Sequence, residues 1–261
     1  MRIDVVTLFP QVFPGPIGVG VVGRALEQGI VEVVAHDLRP FGVGAHRQVD
    51  DVPFGGGPGM VLRPEPLFAA VRAVRLLPGL PPAREILLSA HGRRLDAALV
   101  AELAAAPRLL LVAGRYQGVD ERVREGLGLE ELSVGDFVLS GGELAALVII
   151  EAVARQLPGT LGDPESARHE TFGRSGVEPP QYTRPAEFEG RSVPDVLRSG
   201  DHAAIGRWRA GAARARAARL RPDLLPGFPF DPAPDPAAAP AAARSIPHSP
   251  PAVPAGPGGA S

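Results

Sequence analysis

Residues that could act as acids, bases or metal ligands first occur together in a long glycine-rich stretch. Asp50 and Asp51 stand side by side in VDDVPFGGGPGM (49–60), and four glycines follow them within the next eight residues. Adjacent carboxylates can exchange protons or bind Mg²⁺, and glycine lets the backbone approach a ligand closely. Residues 39–62 show no periodicity, and so long a loop in a compact domain is usually functional or disordered. The sequence leaves open a ligand-binding loop or a solvated turn.

Three further glycine-bearing segments each lie where a predicted strand ends. They are LLSAHG (87–92), VAGRYQG (112–118) and LSVGDFVLSGGE (132–143). In parallel α/β sheets, ligands bind beyond the carboxyl ends of the strands. The three segments could therefore converge into one pocket lined by backbone N–H and C=O groups. Ordinary turns between strands and helices are the alternative.

One arginine and three acids near the middle of the chain are candidates for charge chemistry. Arg155 lies near the end of a strongly apolar helical pattern (142–157), and arginine is seldom fully buried unless it is paired. It therefore either extends to solvent or faces a site. The polar segment that follows contains Asp163, Glu165 and Glu170, each of which could act as a base. Solvated acids in a linker are the alternative.

The net charge of −2 conceals a basic segment. Residues 165–221 hold 11 Arg against 7 acids, and six Arg with no acid lie between His202 and Pro222. Trp208 stands within this run. A basic helix beside an aromatic ring suits an RNA backbone and its unstacked bases, whereas an exposed charged helix face is the default interpretation.

A glycine pattern near the N-terminus offers a different function. Gly18, Gly20 and Gly23 spell G-x-G-x-x-G, and Asp37 ends the next predicted strand, as in a dinucleotide-binding site. However, three prolines and a glycine separate the first strand from Gly18, so the strand does not lead directly into the motif. Packing of a helix against the sheet is therefore the favoured interpretation.

Composition excludes several classes of protein. With no cysteine, the chain can form no disulfide scaffold, zinc ribbon or thiol nucleophile. All 27 basic residues are Arg, so lysine chemistry is excluded as well. No apolar run reaches about 18 residues and no signal-peptide pattern is present. We therefore expect a cytosolic protein without a membrane span.

The pattern of elements predicts an α/β fold. Apolar strand patterns at 2–10, 30–38, 85–90, 108–114 and 132–140 alternate with helical patterns at 17–28, 64–77, 93–105, 120–126 and 142–157. Such alternation indicates a parallel sheet covered on both faces. After residue 162 the sequence becomes polar, and two helical patterns follow at 193–200 and 201–220.

Taken together, these segments resemble the bacterial tRNA (guanine-N(1)-)methyltransferase family of S-adenosylmethionine enzymes. The resemblance covers about residues 1–221 in order. It rests on VVTLFP, HRQVDDVPFGGGPGM, AGRYQGVDERV, LSVGDFVLSGGELAAL, PGTLG, QYTRP, VPDVLRSGDH and RWR. It implies a parallel sheet with a deep trefoil knot and a small all-α C-terminal domain.

The resemblance also implies a domain organisation and a homodimer. A knotted catalytic domain would span 1–162, an interdomain linker 163–190 and a basic helical tRNA-recognition domain 191–221. The Pro/Ala-rich tail 222–261 has no counterpart in the resemblance, and its composition predicts disorder. The active site would lie at the subunit interface, where the linker of one chain closes over the cofactor held by the other.

The site residues that the resemblance implies fall into two groups. S-adenosylmethionine would contact Leu88, Ala90, Gly92, Gly114, Tyr116, Val134, Gly135, Asp136, Phe137, Val138, Leu139, Gly141 and Gly142. The tRNA would contact Asp50, Gly59, Gln117, Arg207, Trp208, Arg209, Arg214 and Arg216. Mg²⁺ is a further cofactor that the family allows, although no residue in the sequence is assigned as a metal ligand.

The implied reaction methylates N(1) of the guanosine at position 37 of tRNA, next to the anticodon. Because N(1) carries a proton at neutral pH, a general base is needed, and a cation must stabilise the charge that develops on the neighbouring carbonyl oxygen. The matching residues are Glu170 as base and Arg155 as cation.

The chain departs from the family pattern at several of these positions. Glu170 replaces the family's Asp, Gln117 replaces a Glu, and Ala90 and His91 replace Pro and Gln. Because of these departures, a non-catalytic RNA-binding homologue is one alternative. A nicotinamide-dinucleotide oxidoreductase that uses the Gly18 motif is the other alternative.

Overall fold

The structure is a computed structural model that describes residues 1–162, 170–172 and 177–225. Its strands are β1 (Arg2–Thr7), β2 (Glu32–Asp37), β3 (Asp50–Asp51), β4 (Val61–Leu62), β5 (Arg84–Arg94), β6 (Arg108–Ala113), β7 (Glu130–Ser133), β8 (Glu187–Phe188) and β9 (Arg191–Ser192). Its helices are α1 (Pro14–Ile17), α2 (Gly20–Glu27), α3 (Pro64–Arg75), α4 (Ala97–Ala104), α5 (Glu121–Leu127), α6 (Glu143–Ala154), α7 (Asp195–Arg198) and α8 (His202–Leu220).

Five strands form one parallel sheet in the order β2-β1-β6-β5-β7. All six residues of β6 are buried, as expected for a central strand covered on both faces. One face packs against α2, α4 and α6, and the other against α3 and α5. The predicted parallel α/β fold is confirmed. In the described part of the chain, no helix is both long and apolar enough to cross a membrane.

Three predicted boundaries near the strand ends are wrong. β5 extends beyond the predicted 85–90, because Arg93 and Arg94 pair with β7 after an irregular stretch that follows Leu88. The helix predicted at 93–105 therefore begins only at Ala97, where the Asp96 side chain accepts a hydrogen bond from Leu99 N. The strand predicted at 132–140 ends at Ser133, whose hydroxyl bonds to both backbone groups of Gly135 and turns the chain.

The glycine pattern near the N-terminus serves helix packing. Gly18 ends α1, and a Cβ atom at Gly23 would lie 2.7 Å from the carbonyl group of Gly18. Asp37 accepts a hydrogen bond from Arg39 N at 2.9 Å and so caps a turn. The helix predicted at 17–28 is thus shortened to α2, and the short helix α1 precedes it. This geometry favours the packing interpretation over dinucleotide binding.

The C-terminal segment is helical after an initial hairpin. β8 and β9 form an antiparallel pair that crosses the predicted boundary at residue 190, so the segment predicted as all-α begins with a strand. The helix predicted at 193–200 is shortened to α7, because Pro194 stands at its N-terminus. α8 begins after Asp201, whose carboxylate accepts hydrogen bonds from Ala203 N and Ala204 N. The tail predicted at 222–261 lies outside the described residues from 226 onward.

Candidate active site

The structure brings the three glycine-bearing segments together at the carboxyl edge of the sheet. The N–H of Gly142 donates to the carbonyl of Gly114 at 2.8 Å, and Arg115 forms an antiparallel backbone bridge with Gly141. The first segment leaves the β5–β7 ladder after Leu88 and rejoins it at Arg93. A Cβ atom at Gly92 would lie only 2.3 Å from Leu132 N, so only glycine fits this crossing. The three segments therefore form one compact cluster.

Large apolar side chains stand exposed around this cluster. Tyr116 is 50% exposed, Phe137 57% and Val138 87%, whereas Leu88 at the strand end is buried. Exposed apolar groups gathered at one place mark a binding surface. Together with backbone groups at glycine positions, they suit an adenine ring and its ribose.

The glycine-rich loop 39–62 docks beside the second segment. Its end is held by hydrogen bonds from Gln117 N to Met60 O and from Leu62 N to Gly118 O, both 3.0 Å. A Cβ atom at Gly59 would lie 2.8 Å from Cγ of Gln117. Partial burial and the nearby carboxylate of Asp50 raise the pKa of Tyr116. Asp50 of the loop thus lies near Tyr116, and Gly59 of the same loop lies against Gln117.

The adjacent acids do not act as a pair. Asp51 is bound to Arg63 at 3.1 Å and accepts a hydrogen bond from Val52 N, whereas Asp50 lies toward Tyr116. Within residues 1–162, 170–172 and 177–225, no three His, Asp or Glu side chains gather as metal ligands would.

Arg155 and Glu170 form an ion pair. Arg155 Nη2 lies 2.6 Å from Oε1 of Glu170, and the two side chains are 30% and 41% exposed. The pair lies on the wall of a cavity of about 900 Å³ bordered by α1, α2, α4 and α6. Asp163 and Glu165, the other candidate bases, lie outside the described residues. A carboxylate and a guanidinium thus share one accessible site.

The ion pair and the glycine cluster lie at opposite ends of α6. Gly142 precedes the helix and Arg155 follows its 12 residues, which corresponds to about 18 Å along the helix axis at 1.5 Å per residue. Cofactor-binding and proton-transfer candidates of a single chain are therefore not in contact.

The basic residues predicted to contact RNA lie on α8. Arg207, Arg209 and Arg214 are exposed and Arg216 is partly exposed. The ring of Trp208 packs against Tyr182, with the ring centroids 6.2 Å apart. Tyr182 belongs to the QYTRP segment, to which the sequence analysis gave no role of its own. Its contact with Trp208 extends the aromatic surface.

Sequence reasoning missed one buried carboxylate beside the cluster. Glu143 is 1% exposed at the start of α6, and it binds Thr7 and Arg115. A charged residue at the start of a mostly apolar helix was the available signal. The partner residues, however, are distant in sequence and could not be identified from it.

A parallel sheet with a glycine-lined cluster at its carboxyl edge places this chain among the α/β proteins, in which ligands bind at that edge. The chain belongs to the family described as tRNA (Guanine-1)-methyltransferase TrmD, whose model matches residues 1–227.

Individual relatives agree with this assignment. A "tRNA (guanine-N(1)-)-methyltransferase" of Synechococcus sp. (strain JA-3-3Ab) is 53% identical over 89% of this chain and 90% of its own length. The protein of the same name from Rhodopirellula baltica is 53% identical over 87% and 94%, respectively. That of Geobacter sulfurreducens is 50% identical over 86% and 91%.

Proposed function

We propose that this chain transfers a methyl group from S-adenosylmethionine to N(1) of the guanosine at position 37 of tRNA. The observation that carries the proposal is the contact between Glu170 and Arg155 at 2.6 Å. The reaction needs a base at N(1) and a cation at the adjacent carbonyl oxygen, and these two atoms of guanine are neighbours. A carboxylate and a guanidinium in contact match that spacing.

The chemical roles follow from the charges of the two side chains. The Glu170 carboxylate takes the proton as the N(1)–H bond breaks. Arg155 stabilises the negative charge that develops on the carbonyl oxygen. When bound, S-adenosylmethionine supplies the electrophilic methyl group and leaves as the neutral thioether. In the free chain the two groups bind each other, so guanine must enter between them.

The glycine cluster is the place where we expect the cofactor. Leu88, Gly114 and Leu139 represent the three segments that would surround it. The exposed rings of Tyr116 and Phe137 support this assignment because an adenine ring would cover them. Backbone groups dominate the cluster, so the replacements Ala90 and His91 change few of the groups available for binding.

We further propose that these segments form a deep trefoil knot. β5 lies between β6 and β7 in the sheet although it precedes both in the chain. The segment after β6 then meets the segment after β7 through Gly114 and Gly142. This crossing of segments in a parallel sheet supports a knot. True knots are very rare among protein folds.

We propose that the C-terminal segment binds the tRNA. We also propose that the protein acts in the cytoplasm. Exposed arginines along α8 attract phosphates, and the Tyr182–Trp208 pair offers a surface on which a base can stack. We keep the division into a catalytic domain (1–162), a linker (163–190), a recognition domain (191–221) and a tail (222–261) as part of this proposal.

The function is tested by methyl transfer to an unmodified tRNA transcript with guanosine at positions 36 and 37. We expect label from S-adenosylmethionine in the tRNA, with the product identified as 1-methylguanosine. The matched control is the same transcript with adenosine at position 37, which should accept no label. Tight tRNA binding without transfer would instead support the non-catalytic homologue.

We propose that the chain forms a homodimer, which would bring the glycine cluster and the Arg155–Glu170 pair together. About 18 Å of helix α6 divides Arg155 from the glycine cluster within one chain. The same helix exposes Leu144 (56%) and Val148 (49%), which a partner subunit would cover. A two-fold symmetric pair could therefore bring the cluster of one protomer to the ion pair of the other.

Complementation between two inactive variants tests the shared site. Glu170→Gln removes the base, and Leu139→Arg places a second positive charge beside the cationic cofactor. After mixed refolding, half of the dimers carry both variants and each has one intact site, so about a quarter of wild-type activity should return.

The control mixture combines Glu170→Gln with Arg155→Ala, which damage the same half of the site. No activity above that of the separate variants is expected from it. A Glu170→Gln and Leu139→Arg mixture that stays inactive would contradict the shared site.

A further inference from the structure

Four residues at the carboxyl edge of the sheet form a closed network around a buried centre. The Thr7 hydroxyl donates to Oε1 of Glu143 at 2.8 Å, and Nε of Arg115 donates to Oε2 at 2.9 Å. Thr7 Oγ1 in turn accepts from Phe9 N at 3.0 Å. The Arg115 guanidinium lies over the Phe9 ring, 4.5 Å from its centroid. The end of β1 is thus joined to the start of α6 and to the segment after β6.

The network is fully satisfied although its centre is inaccessible to water. Glu143 is 1% exposed and Thr7 is fully buried. A buried carboxylate is tolerated only when it is paired and hydrogen-bonded, and the N-terminal end of a helix favours negative charge. Because each oxygen of Glu143 has one directed donor, the geometry of the network is fixed.

The network lies between two segments that are proposed to contact the substrates. Arg115 directly precedes Tyr116 and Gln117, which lie against the glycine-rich loop 39–62 that is expected to contact the tRNA. On the other side, a Cβ atom at Gly141 would lie 2.3 Å from Nε of Arg115 and 2.6 Å from Oε2 of Glu143. The network therefore occupies the space beside the last cofactor-binding segment, and a shift of Arg115 would move both segments.

We propose that Glu143 and Arg115 are positioning residues for methyl transfer, with Thr7 orienting the Glu143 carboxylate. They set the separation between the last cofactor-binding segment and the segment of Gln117, which is expected to contact the tRNA. This inference rests on the proposed function. The network touches neither substrate; it acts through Tyr116, Gln117 and Gly141.

Glu143→Gln and Thr7→Val test the proposal by single-turnover kinetics. Displacement of reacting groups by about 1 Å can cost about 100-fold in rate, so we expect the transfer rate to fall about 10- to 100-fold. The Kd of S-adenosylmethionine and the KM for tRNA should change by less than about threefold, because the variants remove no contact with either substrate and the loss falls on the transfer step. Thr7→Ser keeps the hydroxyl and should restore most of the rate.

Arg108→Met is a control that distinguishes a loss of positioning from a loss of stability. Arg108 is also a buried arginine bound to a carboxylate, but it lies at the start of β6, and Arg115 follows the end of that strand. The variant should lower the melting temperature and leave the transfer rate unchanged at 25 °C.

The outcomes distinguish this inference from the proposed function. A wild-type chain that transfers no methyl group would overturn both. If the wild type is active and both Glu143→Gln and Thr7→Val transfer the methyl group at the wild-type rate, the positioning role alone would be overturned. So would a Thr7→Ser variant as slow as Thr7→Val, or an equal loss of rate in Arg108→Met. If Glu143→Gln fails to fold, the comparison of Thr7→Val with Thr7→Ser decides.

Discussion

Glu170→Gln is expected to lower the rate of methyl transfer by about 10²- to 10⁴-fold, which is the usual contribution of a general base. The amide keeps the size of the side chain but cannot accept the N(1) proton at neutral pH. Arg155, whose Nη2 contacts both carboxylate oxygens of Glu170, would remain available for the carbonyl oxygen. The measurement is the single-turnover rate with saturating tRNA and S-adenosylmethionine.

Two matched variants define what the loss means. Glu170→Asp restores the residue type of the family pattern and should stay within about tenfold of the wild-type rate, because a carboxylate is retained. Glu178→Gln neutralises a second acid on the same linker, one whose backbone N–H contacts Thr171, and should leave the rate unchanged. A Glu170→Gln variant at full activity would move the base elsewhere, with Asp163 and Glu165 the next acids to replace.

The sequence predicted the fold class because the buried strands have a strong and simple signature. After Arg108, β6 is apolar (LLLVA), since helices cover both of its faces. The order of the strands could not be derived in this way. Placing β5 between β6 and β7 depends on long-range contacts, which hydrophobic periodicity within one segment does not encode.

Prediction was weakest where side-chain hydrogen bonds override backbone propensity. The run 132–140 has the composition of a strand, but the Ser133 hydroxyl turns the chain at Gly135. Side-chain contacts were likewise not predicted at the candidate active site. Arg155 and Glu170 were predicted as separate roles, and their contact spans 15 residues. The contact between Thr7 and Glu143 spans 136 residues, so no local pattern could indicate it.

Asp4→Asn is expected to lower the free energy of unfolding by about 3–5 kcal/mol, because removing one partner of a buried ion pair leaves the other uncompensated. Asp4 is fully buried in β1, and Arg108, which is 2% exposed, donates to it at 2.8 Å. Arg2 and His36 bind the same carboxylate. An amide at position 4 would leave Arg108 without its only carboxylate partner in the described structure. Urea denaturation at pH 7 and fixed protein concentration measures the difference.

The stability difference should also depend on pH in a defined direction. Burial opposes ionisation of Asp4, but hydrogen bonds from His36, Arg2 and Arg108 outweigh it and hold its pKa well below the ordinary range. As pH falls below about 4, unfolded Asp4 takes up a proton while folded Asp4 stays ionised. The stabilisation is therefore complete above that pH and decreases as the solution becomes more acidic, so wild type and Asp4→Asn should converge.

Glu32→Gln is the matched control for this network. Glu32 binds Arg2 on the surface and its side chain is 61% exposed, so its loss should cost at most about 1 kcal/mol. It should also leave the acid dependence of stability close to that of wild type. An Asp4→Asn variant that loses no more than Glu32→Gln, or that keeps the full wild-type slope below pH 4, would contradict the prediction. The ion pair of β1 and β6 would then be replaceable by neutral hydrogen bonds.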